Sequence, residues 1–242
     1  MRILFTGSAG FLGQSIFKAF EGRHKIRLMD VRPFETDHEM FIGDVGNLDD
    51  CRRAVKDIDT LVIAHMAPRP IDRPEPSFDA AVKGTANLFF AAEEAGIKRI
   101  CLISSVNTVR AHGESVFASH DTPMQGIDIY DLSKICQEVI AEQYHRCADM
   151  KIAVLRIGYV VDAKLLTNKY GVDLDGFVEG MIDRGDVGEA ALRTLELPDL
   201  GYEIFYVIGE LESKQYEVTS TWKRLGWIPK HLVRSVLEET AS

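Results

Sequence analysis

Tyr130 and Lys134 stand four residues apart in the stretch IYDLSK, residues 129–134. Four residues make about one helical turn, so a phenol and an ammonium at this spacing share a helix face. A positive charge close to a phenol favours its deprotonated form, which accepts protons. A free tyrosine ionises only near pH ~10, and lowering that by about three units takes roughly 4 kcal/mol of differential stabilisation. Tyr130 is the only one of the 7 tyrosines with a lysine four positions later. The spacing alone leaves two readings open: a proton-transfer pair, or an ordinary helix start with a basic residue one turn on.

A second set of residues suits phosphate binding. The apolar stretch RILFT runs into TGSAGFLG, where Gly7, Gly10 and Gly13 form G-x-x-G-x-x-G ahead of the amphipathic FLGQSIFKAF. Glycines at a strand–helix junction let the backbone turn tightly and approach a pyrophosphate, and the helix start presents unpaired N–H groups. The next apolar stretch, IRLMD, ends at Asp30, 17 residues past Gly13. A carboxylate there accepts both ribose hydroxyls of NAD and repels the 2′-phosphate of NADP. Arg32, two residues on, offers the opposite pairing with that phosphate; on the Asp30 carboxylate, NAD is expected over NADP. Asp44 in IGDV closes a further short strand and either meets the adenine or serves as a turn former.

These residues need elements to hold them. RILFT (2–6), IRLMD (26–30), TLVIA (60–64), RICLIS (99–104) and KIAVLRI (151–157) read as strands buried on both faces. Residues 11–21, 48–56, 77–95 and 130–148 read as the helices between them. That alternation predicts a parallel sheet covered by helices. Beyond residue 158 it loosens: 159–183, rich in Gly, Asp and Lys, reads as a long loop with at most one short element. DVGEAALRTLELP then predicts a helix, EIFYVIG a strand, and two helices close the chain.

Composition removes several classes. The 242 residues are 46% apolar and 27% charged, as in a soluble globular protein, with a net charge of −9. That charge argues against binding a nucleic-acid backbone or an anionic membrane surface. No apolar run spans a membrane, and MRILFTGSAG lacks the apolar core and cleavage site of a signal peptide. Cys51, Cys101, Cys136 and Cys147 form no C-x-x-C pair, and three lie in apolar-periodic segments, predicting buried thiols and a cytoplasmic location. The seven histidines show no metal-ligand spacing.

TGSAGFLG, MDVRP, IGDV, LVIAHMA, VKGTANLFFAAEEAGIKRICLISS, YDLSK, LRIG, DVGEAALRTLE, FYVIG and RLGWIP follow one another across nearly the whole chain. In this order they resemble the extended short-chain dehydrogenase/reductase family, in its NAD-dependent epimerase/dehydratase branch. Within it the chain is most similar to the small uronate (hexuronate) dehydrogenases. It shares their ISSVNTV stretch, the 25-residue interval from Ser105 to Tyr130, a short C-terminal part and LGWIPK.

The resemblance implies an α/β, Rossmann-type doubly wound parallel sheet with helices on both faces. Residues 1–158 would form the NAD-binding domain, with 159–242 a small substrate-binding part packed on the same unit. It implies that Gly7, Ala9, Gly10, Phe11, Leu12, Gly13, Asp30, Val31, Asp44, Val45, His65, Ala67, Ser104, Tyr130 and Lys134 line the cofactor. Tyr130 becomes the base, with Lys134 supplying charge and holding the nicotinamide ribose. Ser105 orients the substrate oxygen, Ser104 and Thr108 being alternatives on the same strand-end loop. Arg69, Ser105, Val106, Asn107 and Lys164 are the expected substrate contacts, and no metal is needed. His112 and His120 are expected to face solvent.

The chain also departs from the family. An Asn usually precedes VxGT there; this chain has Ala81. Pro70 replaces an expected small polar residue, and 159–183 shows no clear counterpart of the arginine that grips a substrate carboxylate. Lys164, Lys169, Arg184, Arg69 and Arg73 are the candidate replacements. The expected activity is therefore NAD-dependent oxidation of a small sugar or sugar acid. The alternatives are an epimerase or dehydratase that reduces and reoxidises NAD in one turnover, and a cofactor-binding regulatory protein without turnover. Relatives pair the helices matching 77–95 and 130–148 across a two-fold axis, so a homodimer is expected.

Overall fold

The computed structural model describes residues 1–67 and 73–240. Arg69 and Pro70 lie outside them. Seven parallel strands form the main sheet: β1 (Arg2–Thr6), β2 (Lys25–Asp30), β3 (Glu39–Ile42), β4 (Thr60–Ile63), β5 (Arg99–Ser105), β6 (Lys151–Ile157) and β10 (Tyr202–Val207). Their order is β10-β6-β5-β4-β1-β2-β3. The strand sequence reverses direction between β1 and β4, the crevice where open α/β sheets bind dinucleotides.

Alternate residues of each central strand feed two different cores. Ile3 and Phe5 of β1, Cys101 and Ile103 of β5, and Ala153 and Leu155 of β6 pack on one side. There they meet Ile16 and Phe17 of α1 (Gly13–Lys18) and Val187, Ala190 and Leu195 of α6 (Arg184–Glu196). Leu4, Leu61, Ile63, Ile100 and Leu102 point the other way. They meet α2 (Leu48–Ala54), α4 (Gly84–Glu94) and α5 (Ile129–Ala148) through Cys51, Leu88, Phe89 and Ala141. Burial on both faces explains the unbroken apolar strands, each such side chain contributing about 1.5–3 kcal/mol.

Four expectations need correction. The helix expected over 11–21 spans only Gly13–Lys18, because the chain turns through residues 19–24 with Gly22 at φ +74°. The helix expected at 77 starts earlier, as α3 (Pro74–Ser77), where proline's fixed φ suits a first turn. It reaches α4 through a π-helical segment, Phe78–Lys83. Residues 159–183 are no simple loop: β7 (Tyr159–Asp162), β8 (Thr167–Asn168) and β9 (Met181–Asp183) form a small sheet ordered β8-β7-β9. Val161, Ala163 and Met181 bury against Leu174, Phe177 and Val233, apolar positions that the surrounding Gly and Asp obscured. Of the thiols, Cys51 and Cys101 are buried, Cys136 half-buried and Cys147 exposed. After β10, α7 (Thr219–Leu225) and α8 (Val233–Thr240) complete the chain as two helices. Among the described residues no helix is long and apolar enough to cross a membrane.

Candidate active site

The glycine loop closes on itself. Gly7 has φ +71°, and a Cβ there would stand 2.7 Å from the His65 Cα. A Cβ on Gly13 would stand 2.1 Å from the Gly7 carbonyl oxygen. Only glycine fits either place, and among the described residues the resulting cradle leaves the amides of Phe11 and Leu12 without a backbone acceptor. Asp30, at the end of β2, turns back onto this loop. Its Oδ2 accepts from Ala9 N at 3.0 Å and its Oδ1 from Arg32 N at 3.0 Å. Each carboxylate oxygen has a second lone pair for a ribose hydroxyl. The cradle and the acidic strand end together fit a dinucleotide. Val31 is exposed, Val45 and Ala67 are buried, and the Asp44 carboxylate accepts from Gly46 N at 2.8 Å within its own turn.

His65 follows β4 and is buried. Its Nδ1 lies 2.8 Å from Thr6 Oγ1 and its Nε2 3.4 Å from Thr85 Oγ1. Burial, with the nearby Lys134 charge, pushes its pKa down to about 3, so the imidazole stays neutral.

Ser105 ends β5 and caps the 3-10 segment Val106–His112, its Oγ accepting from Asn107 N at 3.1 Å. The two alternative hydroxyls are turned elsewhere. Thr108 Oγ1 donates to the Ser105 carbonyl at 3.0 Å, and the buried Ser104 donates to Glu138. Glu138 is paired with Arg156 at 2.9 Å, each almost fully buried, and Arg156 donates to the Tyr206 hydroxyl at 2.9 Å. Ser104 thus belongs to a polar pin joining β5, β6, β10 and α5.

Asp128 caps α5, its Oδ1 accepting from Asp131 N at 2.9 Å, which places Tyr130 in the first turn. Asp131 is fully buried and holds the Asn107 amide at 3.1 Å and Arg110 Nη2 at 2.9 Å. One turn on, Lys134 is buried, and its Nζ donates to the Ile103 carbonyl and to Gln137 Oε1, both at 2.9 Å. The first bond docks α5 against the strand that ends in Ser105.

On the substrate side Val106 is buried against Tyr206, Ile208 and Val218, and the Asn107 amide is taken up by Asp131. Lys164 is exposed. Lys169 lies against Tyr170, and Arg73 is exposed at the start of α3. Arg184 pairs with Asp162 at 2.8 Å, its guanidinium 4.8 Å from the Phe11 ring centre, at the border of the glycine loop. His112 Nε2 donates to the Pro123 carbonyl at 2.8 Å, and His120 is exposed beside Asp121. Reading the sequence did not single out Thr6, Thr85, Gln137, Glu138 or Arg156. Gln137 and Glu138, three and four residues past Lys134, carried the signal, since both share its helix face.

The model of the NAD dependent epimerase/dehydratase family matches residues 3–197. An NAD-dependent glucose-6-phosphate dehydrogenase from Haloferax volcanii is 24% identical over 94% of this chain and 92% of its own. A uronate dehydrogenase from Pseudomonas syringae pv. tomato is 24% identical over 86% and 74%. Among solved structures, a mutant of Agrobacterium tumefaciens uronate dehydrogenase complexed with NAD superposes with a TM-score of 0.84. It is 20% identical and covers 99% of this chain and 88% of that one. Fold, cradle and sequence agree: the chain belongs to the NAD dependent epimerase/dehydratase family.

Proposed function

We propose that this protein is an NAD-dependent dehydrogenase oxidising a hydroxyl of a small sugar or sugar acid, with Tyr130 as base, Lys134 as its cationic partner and Ser105 orienting the substrate. The observation that carries this reading is the buried Lys134 ammonium bonded at 2.9 Å to the Ile103 carbonyl, two residues before Ser105 on the same strand. The bond ties the helix that carries Tyr130 to the strand that ends in Ser105, which supports reading the three as one site. Bound NAD supplies the acceptor for the carbon-bound hydrogen. Ser105 donates to the substrate oxygen, and Tyr130 takes the hydroxyl proton as the carbon–oxygen double bond forms. Lys134 favours the phenolate that this requires. The glycine loop and Asp30 hold the dinucleotide, with Asp30 favouring NAD over NADP.

The names of the similar proteins, a uronate and a glucose-6-phosphate dehydrogenase, support a small carbohydrate as substrate. Arg184, at the border between the glycine loop and the 159–183 sheet, and the exposed Lys164 are the cations proposed to meet an anionic group. Residues 159–242 would supply most of the substrate pocket. Phe90 on α4 and Leu132 and Val139 on α5 expose large apolar side chains, which supports the homodimer through these helices; sedimentation as a monomer at micromolar concentration would remove that part.

The test mixes protein and NAD⁺ with a panel of aldoses, uronates and sugar phosphates and follows NADH by absorbance. Turnover of at least one, abolished in Tyr130→Phe with NAD binding retained, is expected. No NADH from any of them, or full activity in Tyr130→Phe, overturns the reading.

A further inference from the structure

Gln137 is 1% exposed, an amide placed where an apolar side chain of similar size would carry no desolvation cost. Its two ends are used differently. Oε1 accepts from Lys134 Nζ at 2.9 Å, while Nε2 donates to Thr85 Oγ1 at 2.7 Å. Thr85 is itself fully buried on α4 and lies 3.4 Å from His65 Nε2, and His65 lies 2.8 Å from Thr6. The polar chain therefore runs from Lys134 through α4 to the ends of β4 and β1, where the glycine loop begins.

We propose that Gln137 is a positioning residue for Lys134, with Thr85 fixing the direction in which the Gln137 amide faces. The proposal rests on the assignment of Tyr130 and Lys134 as the proton-transfer pair. An amide is asymmetric: reversed, it would present N–H groups to an ammonium that can only donate. With its own proton turned toward His65 Nε2, 3.4 Å away, the Thr85 hydroxyl has only lone pairs left for Gln137, which holds the amide in this direction. The arrangement also answers the departure at position 81. Ala81 is buried on the π-helical segment and its methyl group makes no hydrogen bond. Thr85, four residues on, sits one turn further along the same helical run and reaches Lys134 through Gln137 instead.

Neutrality of the acceptor matters as much as its position. A carboxylate in place of the Gln137 amide would cancel the field that Lys134 exerts on the phenol. The one buried carboxylate next in sequence, Glu138, is committed to Arg156 and Ser104. Among the described residues, the other charged or titratable groups around this part of α5 include His65 after β4, Asp131 on α5 itself, Arg110 on the 3-10 segment, Arg156 on β6 and Tyr202 on β10, whose hydroxyl donates to the Glu138 carbonyl. Asp79 and Lys83 on the π-helical segment are exposed.

The experiment measures kcat, KM and their pH profiles, together with NAD binding, for the full chain carrying Gln137→Met, Gln137→Glu, Thr85→Val or Thr85→Ser. Gln137→Met should lose about 10- to 100-fold in kcat at neutral pH, the scale of one hydrogen bond to a charged group, with KM for the sugar little changed. The acid limb of its profile should move up by about one pH unit, because a weaker positive field leaves the base protonated to higher pH. Gln137→Glu should lose at least as much. Thr85→Val should show a smaller loss of the same kind and Thr85→Ser should restore wild-type behaviour, which keeps the test valid if Gln137→Met does not fold. Wild-type kcat and pH profile in both Gln137→Met and Thr85→Val, with Tyr130→Phe inactive, would overturn the proposal alone. Activity retained in Tyr130→Phe would overturn the proton-transfer assignment and this proposal with it.

Discussion

The Oδ2 oxygen of Asp30 accepts the amide proton of Ala9 at 3.0 Å, so the carboxylate that ends β2 is tied to the glycine loop itself. Its other oxygen holds Arg32 N, and the Arg32 guanidinium, largely exposed, lies 3.7 Å away. Asp30→Ser removes the charge that repels a 2′-phosphate and leaves Arg32 to attract one. The expected result is NAD affinity lower by about tenfold or more, with NADP use rising, since a charge-assisted hydrogen bond contributes about 1.5–3 kcal/mol. Comparing kcat/KM for the two cofactors checks it; an unchanged ratio would show that Asp30 does not set the preference.

Gly13 leaves no room for substitution. The Cβ of alanine would stand 2.1 Å from the Gly7 carbonyl oxygen, a backbone atom that cannot swing aside. Gly13→Ala must therefore spread the loop, and NAD titration should show binding lost or weakened by at least about 100-fold, the scale set by a 1 Å misplacement. Gly201→Ala is the control, since its Cβ would meet nothing within 4 Å. It should change stability by no more than about 0.5 kcal/mol.

Glu138 and Arg156 form an ion pair at 2.9 Å with side chains 1% and 2% exposed. Removing one partner strands a buried charge, and Glu138→Met or Arg156→Met should each destabilise by about 3–5 kcal/mol. Replacing both by methionine removes the stranded charge along with the pair. Denaturant unfolding should therefore find the double replacement less damaging than the sum of the single ones. Simple additivity would show that the two residues are not coupled.

The fold was legible because its signals are local. Each central strand is an apolar run, and Ile3, Phe5, Leu4 and their neighbours divide between two cores by the strand period alone. The glycine loop is legible for the same reason, its three glycines acting within eight residues. Position 81 shows the limit. The sequence exposes the absent Asn, but the replacing contact joins residues 52 apart, Gln137 and Thr85, which no local pattern connects. Asp131 is similar: its distance in sequence from Asn107 and Arg110 hides that it locks the segment after Ser105 onto the Tyr130 helix. The 159–183 segment failed differently, its short strands being too brief to show a period among Gly and Asp.

His65 makes a prediction about acid stability. Burial and the Lys134 charge hold its folded pKa at about 3, against an ordinary value of 6.5. Above pH 6.5 the imidazole is neutral in both folded and unfolded chains, and its contribution is complete. As pH falls below 6.5 the unfolded chain takes up a proton that the folded chain refuses until about pH 3, so stability declines through that window. At pH ~5 the loss is about 2 kcal/mol, from 1.36 kcal/mol per unit. His24, whose pKa burial also lowers, acts in the same direction, so the measurement must be a difference. Unfolding free energies of wild type and His65→Gln, compared between pH 8 and 5, should converge as pH falls, because the variant lacks the His65 proton. Parallel curves would mean that His65 is protonated at little cost inside the fold, and that the polar chain from Thr6 to Lys134 tolerates a second positive charge.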